Sequence, residues 1–326
     1  MDGWLDTPDL RALLRLGAQN FVLERSKVLP HSPRGLIHRV EHALRRNTKA
    51  QARRNISAHY DLGNDFYSLW LDPSLTYSAA LFDRADIRSL EEGQDRKRGR
   101  LLELLDPAPG SSILEIGCGW GAFAVQAAKE RGCRVTGIGI SHEQCELARA
   151  RVAEAGVEDL VEIRMQDYRE VAGRFDHVAS IEMFEAVGEQ YWPAFFDCVR
   201  ERLRPGGSAA LQVITVPDWD WDSYRGQVDF TQKYVFPGGI VPSPGAFVRA
   251  AEGSGLHAED PFFFGRDYAR TLAAWLEAFD GAADRVATLG FDERFRRMWR
   301  FYLAWCNAGF ASDYIDVMQT RLTSNG

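Results

Sequence analysis

No window of the sequence approaches the roughly 18 uninterrupted apolar residues that a membrane-spanning helix needs. The start, Met1-Asp2-Gly3-Trp4, lacks the basic residues and apolar stretch of a secretory leader. Neither export nor membrane spanning is expected. Cysteine is sparse: Cys118, Cys133, Cys145, Cys198 and Cys306 are odd in number, scattered and never spaced as CxxC. That pattern excludes a disulfide framework and a zinc site, so no metal is expected and a reducing cytoplasm fits best. Internal repeats and low-complexity tracts are absent as well. What is there, 326 residues with 45% hydrophobic and 26% charged, is ordinary globular composition with enough chain for a large core.

The net charge of −7 disfavours a polyanionic partner such as nucleic acid, but the charge is unevenly spread. Arg34, Arg39, Arg45, Arg46, Lys49, Arg53 and Arg54 lie in one stretch with a single acid, Glu41. Leu36, Ile37, Val40 and Leu44 recur there at roughly helical spacing. The pattern is that of an amphipathic helix with a cationic face. It suits either an anionic membrane surface, with peripheral attachment, or a solvated helix packed on the main domain.

From Ser111 onward apolar runs alternate with helical patterns. Strands are expected at 111–116, 134–138, 161–165, 175–181 and 209–214, with helices near 122–130, 143–155 and 192–203. Such alternation implies right-handed βαβ units and a mostly parallel sheet with helices on both faces. Arg204-Pro205-Gly206-Gly207 reads as a helix end turning into the next strand. An aromatic, irregular stretch follows, then helices at 268–279 and 291–308 and a terminal strand at 314–322.

Leu114-Glu115-Ile116-Gly117-Cys118-Gly119-Trp120-Gly121 follows the first strand and opens a helix. Glycines there let the backbone approach a ligand at the carboxyl edge of the sheet. Read as GxGxxG/A, with Gly117, Gly119 and Ala122, the turn resembles a dinucleotide site. Glu115, two residues before Gly117, and the ExGxGxG spacing favour adenosylmethionine over a nicotinamide. The second strand ends in Gly137-Ile138-Gly139-Ile140-Ser141, with no acid for a ribose diol. Ser141 and Gln144 are the polar candidates nearby, and Asp167-Tyr168 offers a hydrogen bond and a stacking face for an adenine.

With these residues in view, the chain resembles the cyclopropane-fatty-acyl-phospholipid synthases, S-adenosylmethionine-dependent C-methyltransferases acting on cis double bonds of lipid acyl chains. The resemblance rests on His59-Tyr60-Asp61-Leu62-Gly63-Asn64, Thr76-Tyr77-Ser78, Glu115 to Gly121, and Met183-Phe184-Glu185-Ala186-Val187-Gly188. It continues through Lys233-Tyr234-Val235-Phe236-Pro237-Gly238-Gly239, Tyr268-Ala269-Arg270-Thr271-Leu272 and Trp299-Arg300-Phe301-Tyr302-Leu303. It implies an α/β class I methyltransferase (Rossmann-like) fold with a mixed seven-stranded sheet. A helical amino-terminal extension (1–54) precedes the methyltransferase domain (55–326), whose acyl-site insertion is 217–245. Tyr77, Ser78, Gly117, Gly119 and Gln144 match donor-binding positions, and Gly121 completes the turn.

Glu185, Ile214 and Tyr268 match three positions that hold a bicarbonate ion, the family's general base. Two further bicarbonate positions depart from the pattern: Ala79 stands where many members have cysteine, and Gln212 where they have histidine. Gln212 cannot become cationic and Ala79 offers only its backbone. Glu185 is the leading base candidate, with Tyr268 an orienting donor. Aromatics, among them Phe66, Tyr67, Trp70, Phe184, Tyr234 and Phe236, gather where the resemblance puts an acyl tunnel. The implied reaction is methyl transfer to an unsaturated phospholipid acyl chain. Loss of a proton from the new methyl closes a cyclopropane, whereas a hydride shift before proton loss leaves a methylene branch; a methylene- or methyl-branched chain is the alternative product. A lipid-binding protein without turnover is the rival class, and a homodimer is compatible with the pattern.

Overall fold

The structure, a computed structural model, describes Gly3, residues 6–25 and residues 62–324. The basic stretch Arg34–Arg54, His59-Tyr60-Asp61 and the expected boundary near residue 54 lie outside the described residues. Among the described residues three helices precede the sheet: α1 (Leu10–Arg25), the short α2 (Asn64–Ser68) and α3 (Leu90–Leu105). Then β1 (Ser112–Ile116), α4 (Ala122–Arg131), β2 (Arg134–Gly139), α5 (His142–Glu154), β3 (Val161–Met165) and β4 (Phe175–Ile181) alternate. α6 (Trp192–Arg202) leads into β5 (Leu203–Thr215). The short helices α7 (Trp221–Tyr224) and α8 (Phe230–Tyr234) follow, with α9 (Pro244–Gly253), β6 (Leu256–Phe263), α10 (Gly265–Gly281), α11 (Ala283–Thr288), α12 (Glu293–Ala311) and β7 (Asp316–Ser324).

The seven strands lie in the order β3-β2-β1-β4-β5-β7-β6. β1 to β5 pair in parallel, while β7 runs antiparallel to both of its neighbours. The order reverses between β1 and β4, and in such sheets the crevice at the carboxyl ends beside this switch point is where ligands sit. The five parallel strands fall where the sequence places them, because each is an apolar run bounded by turn residues. At 204–207 the chain does not simply turn after the helix: Leu203 pairs with Phe175 and Ser208 with His177. The intervening residues bulge out opposite Asp176, where a side chain on Gly207 would meet the Asp176 carbonyl at 2.5 Å.

α3 shows how local sequence aims side chains at the site. Ser89 accepts from the Glu92 amide while Glu92 accepts from the Ser89 amide, a capping box that fixes where the helix starts. Its buried residues Gln94, Lys97, Arg98, Leu101, Leu102 and Leu105 then repeat at helical spacing and form one inward stripe. Leu101, Leu102 and Leu105 join α4 and α5 in the core on one sheet face, and Phe184, Phe195, Phe196 and Phe247 form the core on the other.

A third core is rich in aromatic rings. Phe66, Tyr67 and Trp70 pack edge-on or tilted against Tyr77, Trp275 and Trp299, with ring centroids 5.1–6.4 Å apart. Offset and edge contacts of this kind are favoured by ring quadrupoles. Phe66, Tyr67 and Trp70 are core packing that joins α2 to α10 and α12, and none of the three reaches the cavity described below. Trp275, fully buried on α10, is the centre of this cluster. Truncating it by Trp275→Ala is expected to destabilise the protein by about 3–5 kcal/mol, read by urea unfolding with unchanged m-value.

Candidate active site

A cavity of about 630 Å³ opens at the switch point, a size ordinary for a small-molecule site. One wall is the turn after β1. Gly117, Gly119 and Gly121 all have positive φ, at 84°, 51° and 83°. A Cβ at Gly117 would lie 2.8 Å from Met183, so both conformation and space demand glycine. Glu115, at the end of β1, is buried beside this turn, and one of its carboxylate oxygens has no hydrogen-bond partner. Burial pushes its pKa up to about 8, against the opposing charges of Arg98 and Lys97.

Gln144, Asp167 and Tyr168 also line the cavity. Asp167 is chelated by the Arg169 guanidinium at 2.6 and 2.8 Å, and Tyr168 sets its ring edge-on against Phe195. Ser141 is not part of the wall: its hydroxyl caps α5 by accepting from the Gln144 amide, which places Gln144 instead. Gly121 likewise sits behind the wall as the residue before α4, against Ala148.

The opposite wall holds the densest polar cluster. β4 ends at Ile181, and Glu182 follows in the left-handed region at φ 48°. This is a strained conformation for a residue other than glycine, of order 1–3 kcal/mol, which clusters at functional sites. The strain aims a buried carboxylate into the cavity. Glu182 Oε1 accepts from the Ala79 amide at 2.9 Å and from Gln212 Nε2 at 2.7 Å, and Oε2 accepts from the Tyr268 hydroxyl at 2.7 Å. Burial raises its pKa, and Lys97 is the main charge opposing the rise. Gln212 is held in turn by Gln319, whose Nε2 donates to Gln212 Oε1 at 2.9 Å.

Glu185 lies one turn further on. Its Oε1 accepts from the Ile214 amide at 2.5 Å, while Oε2 is buried without a partner. Burial and then the charge of Glu182 push its pKa up to about 8. Burial raises both carboxylates, but three donors and Lys97 oppose the rise at Glu182, whereas Glu185, with one donor and a carboxylate neighbour, is protonated near neutrality.

Three of the five positions singled out in the sequence therefore converge on a residue that was not among them, and the other two, Glu185 and Ile214, bond to each other. Ala79, Gln212 and Tyr268 all donate to Glu182, the residue just beyond the expected strand 175–181. Ala79 and Gln212 stand behind Glu182 rather than on the cavity surface. Of the acyl-site aromatics, Phe236 lines the cavity, whereas Phe184 is buried against Trp192, Phe195, Phe196 and Phe247 and Tyr234 faces outward beside Lys233. The positions of Phe184 and Tyr234 in the structure are thus core and surface respectively.

The fold and this site define a class I S-adenosylmethionine-dependent methyltransferase. The glycine turn, the partnerless oxygen of Glu115, Gln144 and the Asp167-Tyr168 pair fit that methyl donor. The family profile described as mycolic acid cyclopropane synthetase matches residues 47–320, and the chain belongs to that family. It is 43% identical over 86% of its length to tuberculostearic acid methyltransferase UfaA1 of Mycobacterium tuberculosis, covering 67% of that protein. It is 36% identical over its whole length to cyclopropane-fatty-acyl-phospholipid synthase of Escherichia coli, covering 82% of it. The crystal structure of mycolic acid cyclopropane synthase CmaA1 complexed with SAH and CTAB superposes with a TM-score of 0.78 at 30% identity, over 83% of this chain and 97% of that one.

A carboxyl whose pKa rises from 4.5 to about 8 on folding binds more protons in the native state. Its contribution to stability is complete below pH 4.5 and is lost as pH climbs through 8, at up to ~1.4 kcal/mol per pH unit. Glu185→Gln is therefore expected to flatten the decline in stability between pH 5 and 8 relative to the unsubstituted protein. Thermal unfolding of both proteins across that range is the check, and parallel curves would contradict the assignment.

Proposed function

We propose that the protein transfers the methyl group of S-adenosylmethionine to the cis double bond of an unsaturated phospholipid acyl chain, with Glu182 as the base. The observation that carries this reading is the donor set on Glu182. Ala79, Gln212 and Tyr268 are three of the five positions that the family resemblance assigns to a bicarbonate ion, and in this chain they grip a carboxylate of the protein itself.

When bound, the donor supplies an electrophilic methyl; the alkene π electrons form the new carbon–carbon bond and the sulfur keeps the old bonding pair. The positive charge then resides on the acyl chain. Tyr268, Tyr302 and Phe236 line the cavity, and aromatic faces stabilise a cation by about 0.5–2 kcal/mol each. Glu182, held ionised by its three donors, accepts the proton that the cation must lose. The freed C–H electron pair closes a cyclopropane. A methylene branch, formed if a hydride shift comes first, is the second reading. It is favoured by the exchange of a free anion for a fixed side chain and by the 43% identity to a protein named for tuberculostearic acid.

A bilayer surface is the proposed source of substrate. No helix among the described residues is long and apolar enough to cross a membrane. Yet Leu13, Leu14 and Gly17 of α1 and Trp305 of α12 line the same cavity, and Leu13, Leu16 and Trp305 remain exposed. The sequence runs from α1 into the basic stretch Arg34–Arg54, which supplies charge complementary to anionic headgroups.

Two outcomes are expected. Glu182→Gln lowers methyl transfer from labelled S-adenosylmethionine into unsaturated phospholipid by about 100-fold or more, while the unsubstituted protein keeps its rate in bicarbonate-free buffer. Proton NMR of the product separates ring from branch, and a rate that collapses without bicarbonate would remove Glu182 from the role. Co-sedimentation with anionic vesicles is expected to weaken severalfold in the triple variant Leu13→Ser, Leu16→Ser, Trp305→Ser; unaltered binding would place the docking face elsewhere.

A further inference from the structure

Lys97 is a lysine with no exposure at all, on the inward stripe of α3 and in the wall of the cavity. A buried ammonium is costly unless opposite charge and hydrogen-bond acceptors surround it. Its Nζ donates to the Ser78 hydroxyl at 2.5 Å. Ser78 is the residue before Ala79, whose amide binds Glu182. A second connection runs through the backbone: Gln319 Nε2 donates to the Lys97 carbonyl at 3.1 Å and to Gln212 Oε1, and Gln212 binds Glu182. Only the first involves the ammonium: one hydrogen bond to Ser78 and one peptide link to the Ala79 amide join it to Glu182, while the second holds the backbone of α3 against the same network.

We propose that Lys97 is a positioning residue for the proton-transfer step: its ammonium, anchored on Ser78, keeps the Glu182 carboxylate ionised so that each turnover starts with an empty proton acceptor. This inference rests on the role of Glu182 proposed above. The charges facing the pair are few. Glu182 meets Lys97 from α3, Tyr268 from α10 and Glu185 from the turn after β4. Lys97 also feels Arg98, Asp72 and Glu115. Among these opposite charges Glu182 acts most strongly on Lys97, while burial draws the lysine pKa down to about 7. Lys97 is then the one cation among them facing Glu182, and removing it leaves a buried carboxylate beside Glu185 with only neutral donors. Ionisation of Glu182 becomes correspondingly harder.

The test uses the full-length protein and the variants Lys97→Met and Lys97→Gln, the second of which can still hydrogen-bond Ser78. In the resting protein, infrared difference spectra at pH 7 are expected to show a weaker protonated Glu182 carbonyl band than in either Lys97 variant. The band should vanish in the double variants carrying Glu182→Gln. In turnover with vesicles of unsaturated phosphatidylglycerol, kcat at pH 7 should fall at least 10-fold and its acid limb should move up by at least one pH unit. The dissociation constant for S-adenosylmethionine should stay within threefold. A carbonyl band no stronger in the variants than in the unsubstituted protein, or an acid limb that does not move, overturns the proposal. The infrared arm needs no turnover, so it decides the role of Lys97 even if the unsubstituted protein transfers no methyl to phospholipid.

Discussion

A carboxylate buried in an apolar cavity is the constraint around which the rest of the molecule is arranged. Removing Glu182 from water without compensation would cost several kcal/mol or leave it protonated. Compensation comes from four separated parts of the chain: the Ala79 amide before α3, Gln212 on β5, the Tyr268 hydroxyl on α10, and the charge of Lys97 on α3. None of these donors is exposed. The left-handed backbone at Glu182 accompanies a side chain that reaches the three hydrogen-bond donors at once.

The same cluster explains why β7 matters although it supplies no cavity wall of its own. Gln319, fully buried on β7, donates to both Gln212 and the backbone of α3, and accepts from Arg100 at 2.9 Å. Two side-chain amides in series transmit a fixed donor orientation to Glu182 without carrying charge. An imidazole in place of Gln212 would add a group that titrates near neutrality; an amide leaves the carboxylates and Lys97 as the groups that set the local charge.

Much of the framework was legible in the sequence because β1 to β5 are apolar runs separated by amphipathic helices, and the ExGxGxG turn stands between a strand and a helix. β6 was not legible: Leu256-His257-Ala258-Glu259 has only weak alternation and Pro261 interrupts it, a composition tolerated because the strand lies at a sheet edge with a register shift before Phe262. α3 was hidden by its charges, since its inward stripe includes Gln94, Lys97 and Arg98, residues that read as surface. In the site, Glu185 and Tyr268 were recognisable from their motifs, but Glu182 was masked by the apolar strand that runs into it. Phe184 and Tyr234 show the limit in the other direction: a motif locates a backbone segment, and neighbouring packing decides which way each ring points.

The edges of the sheet carry one more consequence. β3 at one end presents Glu162 and Arg164 as an ion pair at 2.5 Å, and β6 at the other is broken by Pro261. Charged and proline-bearing margins do not template a further strand. A molecule that displays leucine and tryptophan around its opening thereby keeps its strand margins from adding a second adhesive surface.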